Sequence, residues 1–338
     1  MRARIALDAR TTRQLSAGMQ TYVRELAARL PSVAPDFEFV TFADGGNFGW
    51  AEHVRLPLAV RAAAPALTHY LSQYTPVLMP RPYVVTIHDL IHLLFPENFK
   101  VKVGPYYQIV VRGVAARAAR VITDDTRTVA DLQRFLGVAP ERVRVVPLGV
   151  QGVFLRPAAP HRGARPYFFY SGNHREHKDL RTLFQAWEAL PGEISADLLI
   201  TGPDDVAARQ FLRRNGEVIA LGDVPVNELA GYYAGAVALV HPALREGFGL
   251  PMLEAMAAGC PVIACADALP AVLEGTALTF PARDAGEASR AMQRVLADQG
   301  LRTKLVNEGR TRAAEFTWDR CARETANVYR EVLEEPTR

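Results

Sequence analysis

The segment His241-Pro-Ala-Leu-Arg-Glu246-Gly-Phe-Gly-Leu-Pro-Met-Leu-Glu254-Ala-Met-Ala-Ala-Gly-Cys-Pro261 carries the densest set of residues able to do chemistry. An apolar run ends at His241, and Gly247 and Gly249 open the next loop. Pro251 suits the first turn of a helix, where its missing N–H has no partner to lose. Gly259 suits the end of that helix. The glycines allow close approach to the backbone. The helix start offers free N–H groups and a partial positive charge, so the segment reads as a seat for a pyrophosphate. Glu246 and Glu254 are poor phosphate ligands but good acceptors for sugar or ribose hydroxyls. An isolated glutamate pair more often marks a solvated face or complements a helix dipole. The glycines between these two favour a ligand.

Such a loop needs a strand before it and a helix after it, and the chain offers that alternation twice. In the first run, strands are expected over 4–8, 37–42, 68–71, 83–87, 121–123 and 143–146. Gly18 is placed in a loop, followed by a helix from Thr21 to Leu30 that Pro31 ends. A second helix runs from Thr128 to Leu136 and stops at Gly137. The stretch Arg156-Pro-Ala-Ala-Pro-His-Arg-Gly-Ala-Arg-Pro166 has three prolines and a glycine in eleven residues and reads as an interdomain linker. In the second run, strands are expected over 167–171, 197–201, 217–221, 237–240 and 261–264, with helices over 179–190, 227–233 and 250–258. Three closing helices are expected over 285–297, 302–316 and 318–333. Alternation of this kind implies an α/β protein with two doubly wound parallel sheets. Ligands in such folds bind beyond the carboxyl ends of strands, which makes a cleft between two domains the expected site.

Composition narrows the class. The 338 residues suit about two domains of roughly 100–200 residues. With 22% charged residues and a formal net charge of +3, the chain lacks the basic excess of a dedicated nucleic-acid binder. Cys260, Cys265 and Cys321 are odd in number and lack metal-type spacing, which fits a reducing cytoplasm better than a disulfide scaffold. Only Lys100, Lys102, Lys178 and Lys304 among the 39 basic residues are lysines. Charges at Arg2, Arg4 and Asp8 break any N-terminal signal, and no apolar run approaches the roughly 18 residues of a spanning helix. The segment Tyr106–Arg120, with Arg112, Arg117 and Arg120, is compatible with a peripheral seat on the inner membrane surface. Its periodicity favours an ordinary buried helix. His174 and His177 lack a third local ligand, so no metal site is expected.

Glu246, seven intervening residues and Glu254, in the frame Glu-Gly-Phe-Gly-Leu-Pro-x-Leu-Glu-Ala-Met-Ala-x-Gly-x-Pro-Val, resemble the signature of the retaining group 1 glycosyltransferases. Thr86-Ile-His88-Asp-Leu-Ile-His-Leu-Leu-Phe-Pro96-Glu is similar to that family's His-Asp segment. Val145-Val-Pro-Leu-Gly-Val150 resembles the end of its N-terminal domain. Tyr170-Ser-Gly-Asn-His-Arg175-Glu-His-Lys178-Asp-Leu resembles its phosphate-contacting loop. The likeness runs from near Gly18 to about Trp318.

The resemblance implies a GT-B fold, with two Rossmann-like domains facing a cleft. Residues 1–155 would form the acceptor-binding domain, 156–166 the linker and 167–317 the nucleotide-sugar domain. The helix of 318–338 would pack back toward the first domain. It also implies roles. Arg175 and Lys178 match the basic pair that holds the donor diphosphate, and an Arg fork and a Lys point charge suit that task. Glu254 matches the acceptor for ribose hydroxyls, and Glu246 the residue near the donor-sugar hydroxyls. Phe248, Gly249 and Leu250 would offer backbone N–H groups. Gly222, Asp223 and Val224 would contact the base, and Gly18 would let the backbone approach the donor phosphate or acceptor. His88, beside Asp89, falls near the anomeric centre and leaving phosphate. His88, Glu246, Arg175 and Lys178 are thus the expected catalytic set, with no cofactor beyond the sugar-nucleotide substrate. Ala243, Arg245, Asp125 and Ala271 depart from the family pattern, which bears mainly on donor identity.

The expected activity is transfer of a hexose, mannose first, to a glycan or lipid-linked acceptor in cell-surface polysaccharide synthesis. GDP-mannose is the first donor expected and a UDP-sugar the next. Two alternatives are a nucleotide-sugar 2-epimerase and a sugar-nucleotide-binding protein without turnover.

Overall fold

A computed structural model of the chain describes residues 2–10, 15–45, 52–98, 103–203 and 215–335. Lys100 and Lys102 lie outside them. The chain forms two compact units, Met1–Gly149 with Thr317–Arg338, and Val150–Phe316.

The first unit holds a six-stranded sheet of β1 (Ala3–Asp8), β2 (Phe37–Phe42), β3 (Leu67–Tyr70), β4 (Tyr83–Thr86), β5 (Arg120–Thr123) and β6 (Val143–Val145). The strands are all parallel, in the order β2-β1-β3-β4-β5-β6. Ile5, Ala6 and Leu7 of β1 are fully buried, as the continuous apolar run of a strand covered on both faces requires. Between the strands lie α1 (Ala17–Val33), α2 (Glu52–Ala63), α3 (Ile91–Leu94), α4 (Val103–Tyr106), α5 (Arg112–Arg117) and α6 (Thr126–Asp131).

Several expected boundaries shift here. Gly18 lies in the first turn of α1 and not in a loop, because Ser16 caps the helix by accepting from the Met19 N–H. Pro31 does not end α1. So near the terminus its missing bond is tolerated, and Ala34 N–H closes on the Leu30 carbonyl. α6 starts before Thr128, since the Asp125 carboxylate caps it through Arg127 N–H at 2.7 Å. Its continuation, Leu132–Leu136, ends at Gly137 in the left-handed region, as expected. The segment around Tyr106–Arg120 is helical, as expected, but only as far as Arg117, and it begins at Val103. α4 and α5 are joined by a wide turn over Tyr107–Val111, and Arg120 already belongs to β5. α2 escaped the sequence reading because Pro57 sits inside it.

The second unit holds β7 (Tyr167–Tyr170), β8 (Asp197–Thr201), β9 (Val218–Gly222), β10 (Ala238–His241), β11 (Val262–Cys265) and the short β12 (Leu278–Phe280). These are again all parallel, in the order β12-β11-β10-β7-β8-β9. Its helices are α7 (Gly152–Leu155), α8 (Leu180–Glu188), α9 (Val226–Gly235), α10 (Leu250–Ala258), α11 (Ala285–Ala297) and α12 (Gln299–Ala314). Trp187, Phe168, Tyr170, Val240 and Ile263 lie in its core. Read from its other edge, this sheet has the 3-2-1-4-5-6 order of dinucleotide-binding domains, whereas the first sheet runs 2-1-3-4-5-6. The chain then returns to the first unit as α13 (Trp318–Glu334), which Thr317 caps and which packs on α1.

The chain passes from one unit to the other at Gly149–Val150 and not within 156–166. That proline-rich stretch lacks regular structure, as expected, but belongs to the second unit. His161 N–H donates to the Gly231 carbonyl of α9 at 2.9 Å. Glycine permits this close packing, because a Cβ at Gly235 would lie 2.2 Å from the His161 carbonyl oxygen.

Candidate active site

In the second unit the strand order reverses between β7 and β10, and the loops that leave these two strands meet. Leu244 N–H donates to the His177 carbonyl at 2.8 Å, tying one loop to the other. This places buried Lys178, in the β7 loop, against Glu246 in the β10 loop. The Lys178 ammonium donates to Glu246 Oε1, and His241 Nε2 lies 2.6 Å from the same oxygen. Burial alone would raise the Glu246 pKa. The adjoining Lys178 and His241 outweigh it and hold the carboxyl well below the usual range. Glu246 is therefore an ionised carboxylate in a dry setting. His241, whose role the sequence left open, is fully buried beneath it and stacks on the Tyr170 ring at 6.4 Å.

Glu254, on α10, has a different character. Its carboxylate meets the Tyr233 hydroxyl at 3.3 Å, and burial pushes its pKa up to about 8. The two signature glutamates are thus shifted in opposite directions by their surroundings. α10 begins at Leu250 after Gly249, which is left-handed at φ 77° and provides no side-chain cap. Pro251 has no N–H, and the Met252 and Leu253 N–H groups close on the Gly249 carbonyl at 3.0 and 3.2 Å, so of the first turn it is the Leu250 N–H that remains for a ligand. A Cβ at Gly249 would lie 2.6 Å from Met252 Cε and 2.9 Å from Pro270 Cγ. Phe248 is buried and packs edge-on against Phe316.

Arg175 and Lys178, expected as a pair, point to different environments. Arg175 is exposed and its N–H donates to Asn173 Oδ1, while Lys178 turns inward. Gly222 ends β9 with φ 66°, followed by exposed Asp223 and half-buried Val224. His174 Nε2 donates to the Thr201 carbonyl at 2.8 Å, which braces the loop. Among the described residues no three His, Cys, Asp or Glu side chains group to hold a metal ion. Trp187 is core, donating to the Ala196 carbonyl, and Tyr107 is likewise buried.

In the first unit His88 follows β4 and is buried. Its Nδ1 lies 2.6 Å from Asp124 Oδ2. Asp89, the sequence neighbour taken as its companion, instead accepts from Ile91 N–H at 3.0 Å. The register explains the exchange. β4 and β5 pair with Thr86 opposite Ile122, so two residues further His88 draws level with Asp124. Burial lowers the His88 pKa, but the Asp124 charge and hydrogen bond and the Asp89 charge oppose this, and the net shift is upward. Tyr22 of α1 sets its ring edge-on to the imidazole at 4.6 Å. Sequence reading missed Asp124, which strand pairing brings to His88 within the first unit, and Tyr233, which helix packing brings to Glu254 within the second.

Known proteins fit this geometry. Residues 165–298 match the family model for "Glycosyl transferases group 1", and residues 39–151 match that for "Glycosyltransferase Family 4". The O-antigen chain mannosyltransferase B of Escherichia coli is 27% identical over 292 residues, covering 80% of this chain and 76% of that protein. The MMP alpha-(1->4)-mannosyltransferase of Mycolicibacterium hassiacum is 31% identical over 232 residues, 65% of this chain and 56% of that protein. The chain thus spans just over half the length of the latter. Among solved structures, sucrose-phosphate synthase from Thermosynechococcus elongatus superposes with a TM-score of 0.75 at 23% identity, covering 98% of this chain and 99% of that one. Anabaena HepE in complex with UDP-glucose gives a TM-score of 0.73 at 16% identity, with coverage of 97% and 99%. No helix among the described residues is long and apolar enough to cross a membrane. Two matched family models, two all-parallel sheets and a phosphate-type loop at the second sheet's reversal agree: the chain belongs to the group 1 glycosyltransferases and has their GT-B fold.

Proposed function

We propose that the protein is a retaining glycosyltransferase that moves a hexose, mannose first, from a nucleotide-diphosphate sugar to a glycan or lipid-linked acceptor in cell-surface polysaccharide synthesis. The observation that carries this reading is the Lys178–Glu246–His241 cluster beside the start of α10, in a chain of this family. Mannosyltransferases among the relatives support mannose, and GDP-mannose is the proposed donor, with a UDP-sugar the next to test. The relatives lend no support to an epimerase or a binding-only protein.

In the proposed reaction the bond between the anomeric carbon and the β-phosphate oxygen breaks, and its electron pair stays on that oxygen. The acceptor oxygen bonds to the anomeric carbon on the same face. Its proton passes to the β-phosphate oxygen. Lys178, Arg175 and the N–H groups of Leu250 and its neighbours stabilise the charge on the leaving diphosphate. Glu246 accepts from donor-sugar hydroxyls and Glu254 binds the ribose. Gly222, Asp223 and Val224 border the base. His88 is proposed as a catalytic group of the same reaction. The acceptor falls to the first unit, and no resident cofactor is required. A cytoplasmic location, with peripheral contact at the inner membrane face, completes the reading.

Thermal unfolding with GDP, UDP, dTDP and ADP, and with their sugars, tests the donor site. A ligand at about 100 times its Kd adds about 2.7 kcal/mol of stability. One nucleotide should stabilise the wild type and fail to stabilise Lys178→Ala. Proton NMR of the product should show the donor's anomeric configuration. An inverted anomer, or no nucleotide response, rejects the reading.

A further inference from the structure

His88 is buried, yet its Nε2 meets no partner among the described residues, while its Nδ1 lies against Asp124. The other polar neighbours are engaged elsewhere. Asp89 accepts from Ile91 N–H, and the Tyr22 hydroxyl bonds Thr86 Oγ1 at 2.8 Å. Thr86 Oγ1 also meets His69 Nε2 at 2.8 Å, and His69 Nδ1 meets the Tyr329 hydroxyl at 2.6 Å. Tyr22 therefore fixes the plane of the His88 ring through its edge and leaves both ring nitrogens untouched.

We infer that Asp124 is the positioning residue of His88: by accepting from Nδ1–H it selects one tautomer and leaves Nε2 as the single working atom. This rests on the proposed catalytic role of His88. With Nδ1–H committed, neutral His88 presents a lone pair at Nε2 and accepts a hydrogen bond. Protonated His88 presents Nε2–H and donates one. Asp124 so sets both the polarity of the unpartnered Nε2 and the pH at which it reverses.

The groups that face this pair act in known directions. Asp124 beyond β5 and Asp89 beyond β4 favour the imidazolium. His69 on β3 is kept neutral by burial, its pKa pushed down to about 3. Tyr22 on α1 and Cys321 on α13, which lies near Asp124, are pushed up and stay uncharged. The carboxylates thus outweigh burial at His88.

Asp124→Asn tests the assignment, because the amide N–H can donate to Nδ1 and so force the proton onto Nε2. Nitrogen NMR of the full chain with 15N-labelled histidine, assigned by loss of signal in His88→Gln, reads the tautomer directly. The wild type should show neutral His88 protonated at Nδ1 and a midpoint above the ordinary 6.5. Asp124→Asn should show Nε2–H and a midpoint below it. In transfer assays that variant should lose kcat on the order of 10²-fold, with donor KM nearly unchanged and the histidine limb of the pH profile displaced. A wild-type His88 protonated at Nε2 overturns the pairing, and needs no variant to be folded. Normal kcat in Asp124→Asn with the tautomer reversed overturns the positioning role and places the fault with His88 as a catalytic group.

Discussion

Each unit of this protein ends a central strand in a buried histidine–carboxylate contact of 2.6 Å, and the two contacts are opposite in sense. In the first unit the carboxylate of Asp124 lies inside and the imidazole of His88 keeps a ring nitrogen without a partner. In the second, His241 lies inside, fully buried, and Lys178 meets the same Glu246 oxygen. Equal chemistry therefore serves unequal ends. The first contact yields an imidazole of defined polarity. The second yields a carboxylate that stays ionised while buried, because it has two cationic or donating neighbours. Which member of such a pair works is decided by which one the surrounding elements leave facing outward.

The comparison can be broken most sharply at Glu246. Glu246→Gln removes the ionised partner of buried Lys178, and kcat/KM for transfer should fall on the order of 10²–10³-fold. Steady-state kinetics with the donor identified by thermal shift checks this. A loss under tenfold would make Glu246 a structural ion and not a working group. The same variant should weaken the acid response of stability. With its folded pKa depressed, Glu246 contributes stability that is present above its unfolded pKa of about 4.5 and is lost as pH falls below it.

His241→Phe keeps an aromatic ring, somewhat larger, at this fully buried position but removes the inner partner. Glu246 retains Lys178, so transfer should fall only about tenfold, while unfolding stability drops by about 1–2 kcal/mol. Chemical denaturation beside the kinetic assay separates the two effects. A larger loss of activity than in Glu246→Gln would reverse the assignment of inner and outer roles.

Glu254 sharpens the contrast by pH. Its folded pKa of about 8 means that the native chain keeps a proton that the unfolded chain releases near 4.5. Stability from this group is thus present at low pH and declines as pH rises from about 4.5 to 8. Glu254→Gln should remove that decline, so its Tm relative to wild type should climb between pH 5 and 8. A constant difference would contradict the burial that causes the shift. The smallest effect is expected at Asp89, whose carboxylate serves a local turn. Asp89→Asn should alter unfolding stability by only about 0.5 kcal/mol and lower the His88 midpoint slightly, far less than Asp124→Asn.

Much of this was legible in the chain. The apolar runs separated by glycine and proline identified eleven of the twelve strands among the described residues to within one residue, including β2 and β8 at their observed ends. α10 was placed exactly by Pro251 and Gly259, since both act on the backbone locally. Short contiguous motifs also singled out Glu246, Arg175 and Lys178, of which the structure brings Lys178 to Glu246 and leaves Arg175 exposed. β12, with three residues, and α2, with an internal proline, were not legible, since the local signal was too short or contradictory.

Sequence alone therefore determined the class of fold, the family likeness and the residues able to handle a diphosphate and sugar hydroxyls. Tertiary structure decided the partners. A period of two states which face a strand residue takes, but not which strand lies beside it. Asp124 meets His88 only because β5 pairs with β4, and Lys178 meets Glu246 only because β7 and β10 adjoin at the reversal. The same limit moved the passage between units from the proline-rich stretch to Gly149–Val150. A Cβ at Gly149 would lie 2.2 Å from Trp318 N, a contact between residues far apart in the chain. Local sequence encodes backbone preference and residue chemistry. Pairing across long loops is a cooperative outcome of burial, and it is there that the working ends of both histidine–carboxylate contacts were chosen.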